Sequence, residues 1–171
     1  GKIELRNELK NWYQQIYNDT IGVDQILVTP GSKFALYLLI QILCDVNDEV
    51  IIPAPNWVSY IPMIEFAGAK EKIIDTSSTN YKLQASQLKL AINDHTRLLL
   101  LNYPNNPTGA DLSFEEYEEL YHLLKKFPNI DIICDDIYNQ IITSDEIRSA
   151  HLLDVAKKYN DTEFIKRIIV V

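Results

Sequence analysis

Residues 98–136 read LLLLNYPNNPTGADLSFEEYEELYHLLKKFPNIDIICDD. The first four are leucines with no polar interruption, the pattern of a strand buried on both faces. A polar, proline-rich turn follows. The spacing then predicts a helix over 113–126, with Ser113 and Glu116 set as a capping box. Residues 130–134 read as a second apolar strand. A buried strand, a helix and another buried strand in that order make a parallel unit, because the helix must cover the sheet on its way back.

The same alternation extends in both directions. Upstream, residues 26–29 read as a strand and 30–32 as a turn into an apolar helix over 34–43. A strand over 49–52 lies between prolines, and a helix over 58–66 closes at Gly68. A strand over 72–74 and a short helix over 83–92 complete that half. Leu5, Leu9, Trp12 and Ile16 recur at helical spacing, which predicts an amphipathic helix over 3–17 ended by Asn18-Asp19-Thr20. Downstream come a helix over 152–159 and a strand over 167–171. The fold class is therefore α/β, a mainly parallel sheet with helices on both faces. No internal repeat or low-complexity tract interrupts it.

Composition sets the boundaries on function. The chain has 171 residues, 47% hydrophobic and 23% charged, ordinary for one globular domain with a proper core. A formal net charge of -8 excludes nucleic acid or an anionic membrane as the main partner, since both demand a basic face. Cys44 and Cys134 lie far apart among apolar neighbours, which reads as reduced thiols and a cytoplasmic compartment. No apolar run approaches the ~20 residues of a membrane helix. The chain opens at Gly1 and stops within the apolar run 168–171, so we expect a piece of a longer polypeptide.

In open α/β sheets a ligand sits outside the carboxyl ends of the strands. Three such ends carry unusual residues. Gly31-Ser32-Lys33 is a glycine turn feeding a helix, a site for phosphate; a tight turn with Ser32 as N-cap is the plainer alternative. Residues 102–109 place a polar, proline-locked turn directly after a buried strand, as either a binding loop or an ordinary turn. Asp135-Asp136-Ile137-Tyr138 sets two carboxylates at the end of strand 130–134. An unpartnered anion there is costly, so Asp135 is expected to face a cation and Asp136 to cap the following turn. His95, His122 and His151 have no metal spacing and no paired acid, and read as surface or helix residues. The late-helix pairs Lys125-Lys126 and Lys157-Lys158 complement the helix dipole.

Taken together, Gly31-Ser32-Lys33, Pro55-Asn56-Trp57-Val58-Ser59-Tyr60, residues 102–109 and Asp135-Asp136-Ile137-Tyr138 resemble, over nearly the whole chain, the aspartate-type aminotransferases. These are the class I/II, fold type I enzymes that use pyridoxal 5'-phosphate. The resemblance implies a three-layer α/β/α cofactor-binding large domain, here partial over 1–171. It implies that Asp135 pairs with the pyridine nitrogen of the cofactor, that Trp57 stacks on the ring, and that Asn106 and Tyr138 donate to the ring's phenolate oxygen. Gly31, Ser32 and Lys33 would form part of the phosphate cup. Cis peptides are expected before Pro55 and Pro107.

The family's Schiff-base lysine and small domain would lie beyond residue 171, as would the arginines that complete the phosphate cup and grip the substrate carboxylate. No catalytic residue is therefore assigned within this chain, and the fragment is expected to be inactive alone and to bind cofactor weakly if at all. The parent is expected to be a homodimer that moves an amino group between an amino acid, aspartate-like, and a 2-oxo acid. Two alternatives share the cofactor residues: a carbon–sulfur lyase, and a catalytically dead regulatory or assembly domain. A nucleotide-binding Rossmann domain is disfavoured because no G-x-G-x-x-G follows any strand.

Overall fold

The computed structural model describes residues 1–18, 21–141 and 147–171. In chain order the elements are α1 (Ile3–Tyr17), α2 (Ser32–Leu43), β1 (Glu49–Ala54), α3 (Tyr60–Phe66), β2 (Lys70–Asp75), α4 (Ala85–Ala91), β3 (Thr96–Leu101), α5 (Phe114–Leu124), β4 (Asp131–Cys134), α6 (Leu152–Lys158), α7 (Thr162–Ile165) and β5 (Ile168–Val170). The five strands form one sheet in the order β2-β1-β3-β4-β5, and every pairing is parallel.

Side chains of successive strand residues point to opposite faces, and both faces are covered. Val50, Ile52, Leu98, Leu100 and Ile133 pack with Leu36 and Ile40 of α2 and Met63 and Ile64 of α3. Ile51, Leu99, Leu101 and Ile132 pack with Leu88 of α4, Leu120 and Leu124 of α5, and Leu152 and Val155 of α6. This double burial is why the strands read as unbroken Leu and Ile rather than as alternating polar and apolar residues.

Local signals set most of the boundaries. Ser113 Oγ accepts from the Glu116 amide at 3.2 Å while Glu116 Oε2 accepts from the Ser113 amide at 2.7 Å, which closes the capping box and starts α5 one residue later. Strand β1 runs through Pro53, beyond the expected end at residue 52. Its pairing with β3 ends at Ile51↔Leu99, so the missing proline N–H removes no ladder bond on that side. Truncating Leu120, which is fully buried on the inner face of α5, to alanine is expected to lower stability by about 2–5 kcal/mol, read as a shift in denaturation midpoint.

Some boundaries differ from the sequence reading. Ile26 is extended, but residues 26–29 form no strand. Ile26 bonds back to the Val23 carbonyl, Leu27 is 74% exposed, and among the described residues no neighbouring strand offers a ladder. The short helix α7 falls in a stretch too brief for periodicity to register. Helix α1 ends in Asn18 with φ 48, a left-handed cap; Asp19 and Thr20 lie outside the described residues. Among the described residues, no helix is long and apolar enough to cross a membrane.

Candidate active site

Strand order reverses between β1 and β3: the connection from β1 leads to β2 on one side and the chain then returns to β3 on the other. A crevice opens at such a switch point, outside the carboxyl ends. The loops after β1, β3 and β4 and the first turn of α2 meet there. Ser32, Lys33, Trp57, Asn106, Asp135 and Tyr138 together line a cavity of about 160 Å³, and Tyr60, Asn102 and Ile137 complete its wall. Gly31 stands just behind the wall as the N-cap of α2.

Gly31 has φ 92, and an added Cβ would meet no atom within 4 Å. The requirement for glycine is therefore conformational, and a side chain at this φ and ψ would cost roughly 1–3 kcal/mol of backbone strain. Ser32 is the first helical residue and not the N-cap, a correction to the plainer sequence reading. No side chain caps this helix, so its leading N–H groups have no side-chain acceptor at the end that carries the cavity-lining Ser32 and Lys33. The Lys33 ammonium lies 5.3 Å from the centroid of the Trp57 ring.

The turn after β3 is built by its own asparagines. Asn105 Oδ1 accepts from Thr108 Oγ1 at 2.8 Å, the Asn105 carbonyl accepts from the Gly109 amide at 2.8 Å, and Asn105 Nδ2 reaches the Pro55 carbonyl at 3.3 Å. Asn102 spans the site. Its Oδ1 accepts from the Asn106 amide at 2.8 Å while its Nδ2 donates to the Asp135 carbonyl at 2.8 Å. Asn106 Nδ2 in turn donates to the Tyr138 hydroxyl at 3.2 Å. The peptides before Pro55 and Pro107 are cis, as expected, and the one before Pro104 is cis as well.

Asp135 lies at the floor, 5% exposed. Its Oδ2 accepts from the Tyr60 hydroxyl at 2.6 Å, whereas its Oδ1 is buried without a hydrogen-bond partner. Burial holds the carboxyl above its usual range, and the Tyr60 hydroxyl and the nearby Ile137 amide oppose that rise. The expected cation on Asp135 is not supplied by the described residues of this chain, and the Oδ1 acceptor of the carboxylate is left unpaired.

Asp136 is not a turn cap. Its Oδ2 accepts from the Tyr17 hydroxyl and lies 3.2 Å from His151 Nε2. His151 is fully buried, packs edge-on to Tyr17 at 5.4 Å, and accepts the Leu153 amide on Nδ1 at 3.0 Å as the N-cap of α6. The reading of His151 as a surface or helix residue without a paired acid is therefore corrected: a histidine at an N-cap serves the helix with one nitrogen and can turn the other to an acid. His95 and His122 are exposed. Both cysteines are free and buried, and burial pushes the Cys44 thiol up to about 11. Among the described residues no group of three or more His, Cys, Asp or Glu could hold a metal ion.

Sequence reasoning overlooked Tyr60 and Asn102 as separate participants. A signal existed for each: Tyr60 follows Trp57 by one helical turn, and Asn102 is the first polar residue after four leucines.

Against known proteins, the family model described as aminotransferase class I and II matches residues 1–171. A probable aspartate/prephenate aminotransferase of Rickettsia felis is 35% identical over 161 residues, 94% of this chain and 39% of that protein. The aspartate aminotransferase of Thermotoga maritima is 36% identical over 166 residues, covering 96% and 43%. The crystal structure of the aspartate aminotransferase from Rhizobium meliloti superposes with a TM-score of 0.88 at 30% identity, over 98% of this chain and 41% of that one. The chain thus spans about two fifths of the length of the relatives it matches.

Proposed function

The chain belongs to the class I and II aminotransferase family, whose aspartate aminotransferase-like members depend on pyridoxal 5'-phosphate, and from that premise we propose that it is the cofactor-binding part of a transaminase. The observation that carries the reading is Asp135, a lining residue of a cavity of otherwise cofactor-compatible groups, buried with Oδ1 unpaired. A buried carboxylate oxygen with no donor is unfavourable on its own. A protonated ring nitrogen is the kind of group that satisfies it.

Each remaining residue then has a physical task. Asp135 holds a proton on the ring nitrogen, because an ionised partner favours the charged form of its neighbour. The Trp57 indole offers a flat apolar face. Asn106 and Tyr138, already hydrogen-bonded to each other, supply donors for a ring oxygen at one edge, while Asn102 fixes their spacing from Asp135. Gly31 allows the turn that exposes the α2 amides, and Ser32 and Lys33 add a hydroxyl and a cation for a phosphate. When bound, the cofactor supplies an electron sink for the carbon that loses a proton.

The substrates proposed for the complete polypeptide are an amino acid, aspartate-like as in the aminotransferases of Thermotoga maritima and Rickettsia felis, and a 2-oxo acid. The lysine that would bind the cofactor covalently is proposed to lie outside residues 1–171. We extend the proposal to a cytoplasmic homodimer; the buried, un-ionised thiols are in keeping with a reducing compartment. The test mixes the complete polypeptide with pyridoxal 5'-phosphate, L-aspartate and 2-oxoglutarate. Expected are a change in cofactor absorbance on adding aspartate alone and glutamate formation with both. Residues 1–171 alone are expected to show no cofactor absorbance that survives dialysis, and a stable one would overturn the placement of the lysine.

A further inference from the structure

We propose that Tyr60 is a positioning residue for Asp135: by donating to Oδ2 it fixes the carboxylate's orientation and leaves Oδ1, which has no partner, for a cationic ring nitrogen. The inference rests on reading Asp135 as the partner of the cofactor ring, and it assigns a role to a residue to which that reading gave none.

The geometry is specific. The phenol oxygen and Oδ2 are 2.6 Å apart, both residues are buried, and they lie 75 positions apart in sequence. Tyr60 opens α3, and its ring is held edge-on to Trp57 at 5.4 Å between centroids. The hydroxyl therefore cannot swing away without disturbing the residue proposed to cover the ring. The proton of the bond is also fixed. Burial and the neighbouring Asp135 carboxylate hold the Tyr60 hydroxyl far above its ordinary range, so toward the ionised carboxylate it is the donor.

Two consequences follow for Asp135. A carboxylate with one donor loses its symmetry: Oδ2 is engaged by Tyr60, while Oδ1 keeps both acceptor sites open. A donated hydrogen bond also lowers carboxylate basicity, and in the pair formed with a ring nitrogen this keeps the shared proton on nitrogen. The other charged or titratable groups near Asp135 are Cys134 at the end of β4, Asp136 and Tyr138 on the segment after it and Lys33 at the start of α2. None of these makes a hydrogen bond to its carboxylate. Asn102 bonds the Asp135 main chain. Among the side chains of the described residues, Tyr60 is the one that hydrogen-bonds the acid's carboxylate.

The experiment uses the complete polypeptide loaded with cofactor labelled with 15N in the ring, in wild type, Tyr60→Phe and Asp135→Asn. Phenylalanine keeps the packing on Trp57 and removes only the donor. In Tyr60→Phe the ring 15N resonance is expected to move from the protonated toward the unprotonated position. The cofactor dissociation constant is expected to rise about tenfold, the scale of a hydrogen bond to a charged group, with unchanged circular dichroism. Asp135→Asn should move both quantities further.

If Tyr60→Phe leaves resonance and affinity at wild-type values while Asp135→Asn shifts them, the role given to Tyr60 is wrong and the reading of Asp135 stands. If Asp135→Asn shifts neither, both fall. A measurement independent of how the variant folds comes from wild type with labelled tyrosine: a far-downfield hydroxyl proton from Tyr60 is expected with cofactor bound, and its absence would overturn the proposal.

Discussion

Asp135→Asn in the complete polypeptide is expected to weaken cofactor binding by at least about 30-fold while leaving the cofactor-free fold as stable as wild type, or more so, at neutral pH. The first half follows from removing one member of a desolvated charge pair, which costs about 2–5 kcal/mol because the other charge is left unpaired. The second half follows from the direction of the carboxyl's shift. Burial raises it above its ordinary value, so the folded chain holds the charged form less well than the unfolded chain does. The resulting penalty grows as pH rises from the unfolded value through the folded one, and is then constant. Asparagine has no such penalty. The advantage of the variant should therefore be present at neutral pH and vanish below the ordinary carboxylate range, where both side chains are neutral.

Thermal melts with and without pyridoxal 5'-phosphate separate the two halves. Ligand stabilises the native state in proportion to the logarithm of its concentration over its dissociation constant. Wild type should gain markedly on adding cofactor, and Asp135→Asn little. A variant that melts lower than wild type without cofactor and gains as much from it would show that Asp135 is a structural acid, and the cofactor reading would lose its support.

How far the sequence carried this result depends on what kind of information each feature needs. The strands of the α/β fold were legible because burial on both faces writes itself as uninterrupted Leu and Ile, and α5 because Ser113 and Glu116 are a local pair. The site residues were legible as polar letters at strand ends, where only function or strain justifies them. Partners were not legible. Nothing near Asp135 in sequence names Tyr60, and nothing near Asp136 names Tyr17, 119 positions away, or His151 in the segment leading to α6. The false strand at 26–29 failed for the same reason: β character needs a neighbour to bond to, and a run of apolar residues does not say whether one exists.

The clamp on α1 gives the second large effect: Arg148→Ala is expected to destabilise the fold by about 2–3 kcal/mol. Helix α1 has no basic residue in its own last turn, so its carboxyl end draws cations from elsewhere in the chain. Arg148 Nε donates to the Ile16 carbonyl at 2.9 Å, and the guanidinium stacks over the Tyr17 ring at 4.7 Å. The Lys157 ammonium donates to the Tyr17 carbonyl. On its far side Arg148 is forked onto Asp154 at 2.9 and 2.6 Å and onto the Ser149 carbonyl at 2.7 Å.

The ion pair itself contributes the smaller share, because Asp154 is 27% exposed and solvent screens it. Most of the cost comes from the Ile16 carbonyl and the Tyr17 face losing their cover at once. Arg148→Lys keeps the charge but cannot fork, and should fall between the two. Hydrogen exchange distinguishes loss of the clamp from general weakening. In Arg148→Ala the amides of α1 should exchange well before those of β3 and β4, since the helix is tied on through Tyr17 and Asp136 rather than through the central sheet. Uniform acceleration across α1 and the strands would mean that Arg148 supports the whole fold and that α1 is not docked as a separable unit.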